Sequence, residues 1–276
     1  MLSGILVALG SAALWGAGDF TGGIASRRID HFHVVALSAL SGIAMLAACS
    51  VVWREPFMPV ESLVWSALAG ASGGLGIAGL YRGLALGNAA LVTPTAAVVG
   101  AIVPVAVTIA LQGWPTATQL SAFACALVGI WLVAKSAPAT AESWRGFRIA
   151  LAAGVGIGGF LALVAQVPPT FVFGPLIVSR LVSMTMAIGI VLSRSRGLPS
   201  VLTNPIALGT GVLDAGGTVL YVLARQYTRL DVAAVLASLY PVSTVVLAAV
   251  VLKERVSVAQ AIGILLCLTA VALIAS

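Results

Sequence analysis

The stretch GILVALGSAALWGAGDFTGGIAS, residues 4–26, decides the fold. It can cross the hydrocarbon core of a bilayer as one helix, which takes about 20 apolar residues, and Asp19 is its one charged side chain. Comparable apolar runs follow at 32–53, 62–82, 88–111, 117–135, 146–166, 173–193, 204–224, 231–251 and 257–275. Within lipid, only helices and closed barrels satisfy their own backbone hydrogen bonds. The sequence therefore predicts an all-α integral membrane protein with ten transmembrane helices.

The composition agrees with that fold. Of 276 residues, 61% are hydrophobic and 8% are charged, whereas soluble domains carry roughly 25% charged residues. The net charge of +6 does not indicate nucleic acid, because the basic residues are spread over short gaps and form no dense stripe. The three cysteines lie within apolar runs, without metal-ligand spacing. We therefore expect the lipid bilayer as partner, no nucleic acid, no metal and no cofactor.

The two halves of the chain resemble each other. ALGSAALWGAG (8–18) aligns with ALAAGVGIGGF (150–160) at an offset of 142 residues, which pairs Gly16 with Gly158. Two further matches keep nearly the same offset and the same order. Their order and nearly constant offset indicate a duplication.

The duplication divides the chain into residues 1–136, with the first five spans, and residues 137–276, with the last five. Each half has an odd number of spans, so the second half enters the membrane from the opposite side. We therefore predict two five-helix inverted-topology repeats. This plan is typical of secondary transporters, with binding sites near the midplane where the halves meet.

The basic residues predict the orientation, because Lys and Arg are concentrated in cytoplasmic loops. One side of the predicted topology holds Arg27, Arg28, Arg82, Lys135, Arg145, Arg148, Arg194, Arg196, Lys253 and Arg255, and the other holds Arg54, Arg225 and Arg229. The first side should be cytoplasmic. We expect a multi-pass protein of a bacterial-type inner membrane with both termini outside.

The closing stretch YPVSTVVLAAVVLKERVSVAQAIGILL (240–266) resembles the EamA-type branch of the drug/metabolite transporter superfamily. Repeats of that family end with a proline-bearing helix, a Glu-Arg pair and a last helix with an early glycine, here Pro241, Glu254-Arg255 and Gly263. The opening LWGAGDF (14–20) is similar to the family's first-helix pattern. The first repeat departs from the pattern, with Gly113-Trp114 in place of the Glu-Arg pair.

The second helix of a repeat in that family often carries an arginine. Arg180 stands at that place in the second half, and Ser38 stands there in the first. The resemblance implies a secondary carrier of small organic solutes. Bacterial members, including those of the YddG type, export amino acids and related metabolites, so we expect an exporter of such solutes.

Three ionisable side chains lie deep in predicted spans, where burial is costly and function is the default explanation. Asp214 and Arg180 differ in depth by about 5 Å, so they could form a static ion pair or a pair that opens to bind solute. Asp19 has no partner at its depth. It is the better candidate for a proton site, and the alternative is a residue that faces the cytoplasmic vestibule.

Two polar stripes follow helical spacing. One comprises Gly211, Asp214, Thr218, Tyr221 and Arg225, and the other comprises Ser11, Trp15, Gly18, Gly22 and Ser26. Either stripe could line a cavity or pack against a neighbouring helix. We predict that solute meets Trp15, Asp19, Tyr81, Arg180, Asp214, Tyr221 and Tyr240 in a cavity between the halves. Pro241 frees the Ala237 carbonyl, which gives either a hinge or a simple bend.

Two other classes of protein are weighed against a carrier. An intramembrane enzyme would need a nucleophile–base pair or a metal cluster, and the sequence has no HExxH motif and no GxxxxGK loop. We therefore predict no catalytic residues. A channel would show rings of charge or of carbonyl groups, usually in an oligomer. The sequence favours a carrier that functions as a monomer on a small-molecule substrate by alternating access.

Overall fold

The computed structural model describes residues 2–26, 28–85, 89–134, 143–194, 197, 200, 204–253 and 255–275, without the side chains of 81–85, 89–94, 134 and 143–145. This part of the chain is helical and contains no strand. The helices are α1 (Leu2–Ser26), α2 (His31–Trp53), α3 (Val60–Ala85), α4 (Ala89–Gln112), α5 (Ala117–Ala134), α6 (Ser143–Val164), α7 (Phe173–Ser193), α8 (Pro205–Ala224), α9 (Leu230–Ala237), α10 (Tyr240–Val251) and α11 (Val258–Ala275).

The unbroken long helices have 18 to 26 residues. At about 1.5 Å per residue they are roughly 27–39 Å long, which matches a hydrocarbon core of roughly 30 Å. Nine segments of the described chain are long and apolar enough to cross a membrane, and α5 is a tenth, shorter apolar helix at Ala117–Val133. Exposed leucine, valine and isoleucine side chains cover the outer surface, as lipid contact requires. The prediction of an all-α membrane protein is confirmed.

The run predicted at 231–251 is two helices rather than one. α9 ends at Ala237, a turn at Ser238 and Leu239 follows, and α10 begins at Tyr240. Pro241 explains the break, because proline has no N–H to donate to the Ala237 carbonyl. All eight residues of α9 are buried. The segment therefore enters the protein interior as a short helix and continues as a more exposed one.

Helix packing follows an exchange rule between the two halves. If α9 and α10 are counted together as the ninth membrane segment and α11 as the tenth, each segment of the first half has a counterpart five places later in the second half. The two most extensive contacts, α1 with α8 and α3 with α6, are counterparts of each other in this sense. The same holds for α1 with α9–α10 and α6 with α4, and for α2 with α8 and α7 with α3. The contacts of α2 with α7 and of α5 with α11 map onto themselves. Each half therefore packs mainly on the other.

Close backbone approaches obey the same rule. A Cβ at Gly16 on α1 would lie 2.6 Å from the Tyr240 carbonyl oxygen of α10, and a Cβ at Gly158 on α6 would lie 2.7 Å from the Gly100 carbonyl oxygen of α4. Such distances leave no room for a side chain. The alignment of Gly16 with Gly158 thus corresponds to equivalent positions in the packing.

The position equivalent to Arg180 differs from the predicted one. Gly211 of α8 lies against the Ser38 carbonyl of α2, and Gly70 of α3 lies against the Ser179 carbonyl of α7. The packing therefore pairs Ser38 with Ser179, one residue from the sequence alignment, and the counterpart of Arg180 is Ala39. Small-residue helices align equally well in neighbouring registers, so the sequence alone could not fix this offset.

The two ends of the bundle differ. We call one the sealed end, where Gly4 lies beside Thr228 and where Arg229 donates a hydrogen bond to the Gly113 carbonyl at 3.1 Å. We call the other the open end, where His33 Nε2 lies 3.0 Å from the Gly197 carbonyl oxygen. Both histidines, His31 and His33, lie in the first turn of α2. α1 begins at the sealed end.

Candidate functional site

A cavity of about 700 Å³ lies at the centre of the bundle, and all ten segments contribute to its lining. One wall is polar, with Trp15, Asp19, Arg180, Thr210, Asp214, Thr218 and Tyr240. Another part of the lining is apolar, with Ile77 and Leu80 of α3, Ile157, Phe160 and Leu161 of α6, and Leu176 of α7. A concave apolar site with a few convergent polar groups is the usual form of a small-molecule site.

Arg180 and Asp214 form the predicted ion pair. The Arg180 guanidinium on α7 donates a hydrogen bond to Asp214 Oδ2 on α8 at 2.6 Å. α2 makes room for this arrangement, because a Cβ at Gly42 would lie 3.1 Å from a guanidinium nitrogen of Arg180. The Arg180 side chain is 12% exposed and the Asp214 side chain is 46% exposed. The pair therefore presents its acid, and much less of its base, to the cavity.

Asp19 projects into the same cavity from α1 and is exposed there. It interacts electrostatically with Asp214 and with Tyr240. Among the described residues, nothing forms an ion pair with Asp19 or donates a hydrogen bond to it. The interpretation of Asp19 as a cavity-facing acid fits this placement, and its use as a proton site stays a prediction.

Trp15 connects the polar stripes of α1 and α8. Its indole N–H donates to the Asp214 carbonyl oxygen and to Thr218 Oγ1, each at 3.3 Å. The Ser11 hydroxyl donates to the Gly217 carbonyl oxygen at 2.7 Å. The two stripes thus face each other across the α1–α8 interface, with Asp19 at the edge toward the cavity. Both alternatives for the stripes hold in part, because they pack and also line the site.

Tyr221 was predicted to meet solute, but it does not line the cavity. The Tyr221 side chain is 0% exposed, and its hydroxyl donates to the Leu161 carbonyl oxygen at 3.0 Å. It lies behind Trp15, with ring centroids 5.9 Å apart, and is absent from the cavity lining. Sequence spacing placed Tyr221 on the correct face of α8 but could not show that Trp15 covers it. The side chain of Tyr81 and the residue Glu254 lie outside the described residues.

Two acidic residues, Glu55 and Asp231, make buried or partly buried contacts that were not predicted from the sequence. The Glu55 carboxylate, between α2 and α3, accepts backbone hydrogen bonds from Val172, Phe173 and Gly174 at the start of α7. Asp231 is 0% exposed and pairs with Arg229 at 3.0 Å. The Glu55 contact joins residues more than a hundred positions apart, so no local pattern signals it. The Arg229-x-Asp231 spacing at a helix start was a usable signal for the second.

Access to the cavity is one-sided. The lining reaches Ser26, the last residue of α1, and His31, the first of α2. Toward the sealed end it stops at Trp15 near the middle of α1, at Leu161 in the last turn of α6 and at Leu176 in the first turn of α7. There Arg225 ties α8 to α6 through hydrogen bonds to the Val164 and Ala165 carbonyl oxygens, at 2.9 and 2.7 Å. These hydrogen bonds at the sealed end, together with the lining at Ser26 and His31, indicate that the central cavity opens toward the open end.

A second, smaller cavity of about 480 Å³ lies at the sealed end. Its lining is rich in polar side chains and includes Gln112, Gln166, Arg225, Gln226 and Arg229. Tyr221 and Arg225, through their hydrogen bonds to α6, stand between the two cavities. Among the described residues, no group of His, Cys, Asp and Glu side chains could hold a metal ion.

A helical bundle that crosses the bilayer many times around a central cavity is an architecture typical of membrane transporters. The EamA-like transporter family matches the sequence over residues 2–135 and again over residues 145–276. The chain belongs to this family, within the drug/metabolite transporter superfamily, whose members are transporters rather than enzymes. A direct comparison with curated proteins finds no match.

Solved structures share the fold. One crystal structure is similar over 99% of this chain and 96% of its own chain, with a TM-score of 0.73 and 18% sequence identity. At that identity the likeness concerns the fold alone. It agrees with the arrangement of ten membrane segments in two family repeats.

Proposed function

We propose that the protein is a secondary transporter that moves small organic solutes, amino acids or related metabolites, out of the cell by alternating access. The observation that carries the proposal is the cavity of about 700 Å³ at the junction of the halves, which is lined by the charged side chains Asp19, Arg180 and Asp214 and extends to the helix ends at the open end. Burying such charges is costly, so membrane proteins keep them mainly along solute and ion pathways.

The proposal includes the inverted repeat, with domains at residues 1–136 and 137–276. It is supported by the exchange rule of helix packing and by the opposite directions of α1 and α6, since α1 begins at the sealed end and α6 ends there. Rocking of one repeat against the other would close the open end and open the sealed one. The broken α9–α10 segment is where such a movement can be absorbed.

The proposed location is the bacterial-type inner membrane, with both termini outside. The open end carries most of the described basic residues, including Arg28, Arg148 and Arg194, so the positive-inside rule makes it cytoplasmic. The conformation is then inward-facing, as an exporter needs for loading. Cysteines introduced at Ser3 and Thr140, in a background without native cysteines, test this in intact cells. We expect an impermeant reagent to label position 3 alone, and labelling of position 140 alone would reverse the orientation.

Transport itself is tested with purified protein in vesicles. Uptake of radiolabelled amino acids and small amines is measured with and without a pH gradient, and counterflow is measured against a trans-side solute. A monomeric carrier gives saturable uptake and counterflow. Electrical currents without saturation would indicate a channel, and a chemically changed solute would indicate an enzyme, so either result would contradict the proposal.

A further inference from the structure

We propose that the cavity selects an organic cation with an apolar body, such as a primary amine attached to an aromatic group, over zwitterions and anions. This inference rests on the proposed function and narrows its substrate class. The first observation is the unequal exposure of the ion pair, in which the Asp214 side chain is 46% exposed and the Arg180 side chain is 12% exposed. A solute that enters the cavity meets the carboxylate first.

The position of Arg180 explains why its charge is hidden. Its guanidinium is engaged by Asp214 at 2.6 Å on one side and lies against Gly42 of α2 on the other. A carboxylate on the solute would have to displace Asp214 from this contact. Displacement would leave Asp214 and Asp19 as neighbouring carboxylates with no counter-charge, and like charges repel strongly in a site enclosed by protein of low dielectric constant.

The net charge of the site points the same way. On the polar wall the acids Asp19 and Asp214 stand against the base Arg180, so these three side chains sum to −1 when ionised, and His31, which lines the cavity at the start of α2, adds no charge when neutral. One monovalent cation would neutralise them, and Asp19 is the acid without an ionic partner among the described residues. An ammonium group donates hydrogen bonds to carboxylates, and charge-assisted bonds of this kind are the strong ones.

The aromatic and apolar side chains that line the cavity also suit an organic cation with an apolar body. Trp15 and Tyr240 lie on the polar wall with ring centroids 6.5 Å apart in an edge-to-face arrangement, and aromatic faces attract cations. Ile77 of α3 and Ile157 and Phe160 of α6 add apolar surface to the same cavity. The cavity thus has an anionic, aromatic wall for the ammonium group and an apolar wall for its body.

The test uses three ligands with one phenyl body and different charge: phenethylamine, phenylalanine and 3-phenylpropionate. Binding to the purified full chain in lipid nanodiscs is measured by titration calorimetry near neutral pH. We expect phenethylamine to bind at least about ten-fold more tightly than phenylalanine, and phenylpropionate more weakly still. A ten-fold difference corresponds to about 1.4 kcal/mol, the scale of one charge-assisted contact.

Variants then identify the recognising group. Asp19→Asn should weaken phenethylamine binding by about ten-fold. Glu61→Gln is the matched control, because it removes one negative charge from an exposed side chain at the start of α3, outside the cavity. It should leave the affinity unchanged, and a folded Asp19→Asn protein is verified by its size-exclusion profile.

Equal affinities, a preference for phenylalanine or phenylpropionate, or no binding of the amine would overturn the inference. So would an unchanged amine affinity in folded Asp19→Asn. Loss of phenylalanine binding in Arg180→Gln would show instead that the arginine recognises a carboxylate. Counterflow separates this inference from the broader proposal: saturable counterflow of a zwitterion or an anion would preserve the carrier and reject the cation, whereas currents or chemical conversion would reject the carrier.

Discussion

The α1–α8 interface and the α3–α6 interface are counterparts in packing and opposites in chemistry. Trp15 of α1 lies against Gly217 of α8, and Ile157 of α6 lies against Gly76 of α3. Yet the first interface brings Asp19 and Asp214 to the cavity, whereas the second brings Ile157 and Phe160. One packing scheme, used twice, produces the polar wall and the apolar wall.

The difference shows which positions of a duplicated membrane protein can change their side chains without loss of packing. The close approaches are made by glycines and backbone carbonyls, which both halves retain. Side chains that point into the cavity make few of these contacts, so they can change without loss of packing. Divergence at a few cavity positions therefore turns a near-symmetric scaffold into an asymmetric site.

The largest effect is expected where the two interfaces are alike. Gly16→Leu and Gly158→Leu should each cost about 3 kcal/mol or more, because overpacking against backbone cannot relax. Both proteins should give little monodisperse material in size-exclusion chromatography. Gly189→Leu is the control, since nothing lies within 4 Å of a Cβ at that position. Tolerance of the leucine in one half only would show that the halves are not equivalent in packing.

A smaller effect separates the halves. Asp214→Asn should lower stability by about 2 kcal/mol, because it leaves the Arg180 charge without its partner, a cost reduced here by the partial exposure of Asp214. The double change with Arg180→Gln should recover most of the loss. Ser72→Ala, at the corresponding stretch of α3, should cost only about 1 kcal/mol, since it removes a single neutral hydrogen bond to the Gly156 carbonyl.

Thermal unfolding in detergent measures these three variants. Absence of recovery in the double variant would argue against the ion pair as the source of the loss. A Ser72→Ala protein as unstable as Asp214→Asn would remove the contrast between the interfaces.

The next effect concerns the indole of Trp15. Trp15→Phe removes two hydrogen bonds of 3.3 Å to α8, which at that length should contribute about 1 kcal/mol together. Trp114→Phe is the control, because Trp114 is 76% exposed. The melting temperature should fall in the first variant and stay unchanged in the second. An equal change in both would indicate that the indole contacts contribute nothing.

The smallest effect on stability is expected at Asp19. Asp19→Asn removes a charge without an ionic partner, so stability should change by less than about 0.5 kcal/mol or rise. Its effect should appear in transport: if Asp19 carries the coupling proton, uptake loses its dependence on a pH gradient while counterflow persists. Vesicles with wild-type and Asp19→Asn protein measure both. Full gradient-driven uptake in the variant would eliminate Asp19 as the coupling site.

Much of the fold follows from the sequence, because a membrane span is a long apolar run. Depth along a helix follows equally well from residue counting, and it predicted that Arg180 and Asp214 meet. Rotation about the helix axis and the choice of neighbouring helix are harder to predict. For that reason the burial of Tyr221 behind Trp15 and the pairing of Ser38 with Ser179 appeared only in three dimensions.

The missed features share a physical cause. Glu55 reaches α7 across more than a hundred residues, and no periodicity encodes such a contact. The break between α9 and α10 was signalled by Pro241, but hydropathy cannot tell a kinked helix from two helices. The cavity-facing residues were predicted best where a polar side chain interrupts an apolar run, as at Asp19 and Asp214.

The hydrogen bonds of the Glu55 carboxylate offer a way to follow the conformational cycle of the protein. The amide hydrogens of Val172, Phe173 and Gly174 have no acceptor within their own helix and depend on Glu55. Their exchange with deuterated solvent should be slow while the sealed end stays closed and fast whenever it parts. Deuterium exchange at these three amides, measured by mass spectrometry, would therefore report the opening of the sealed end in unmodified protein before any substrate is known.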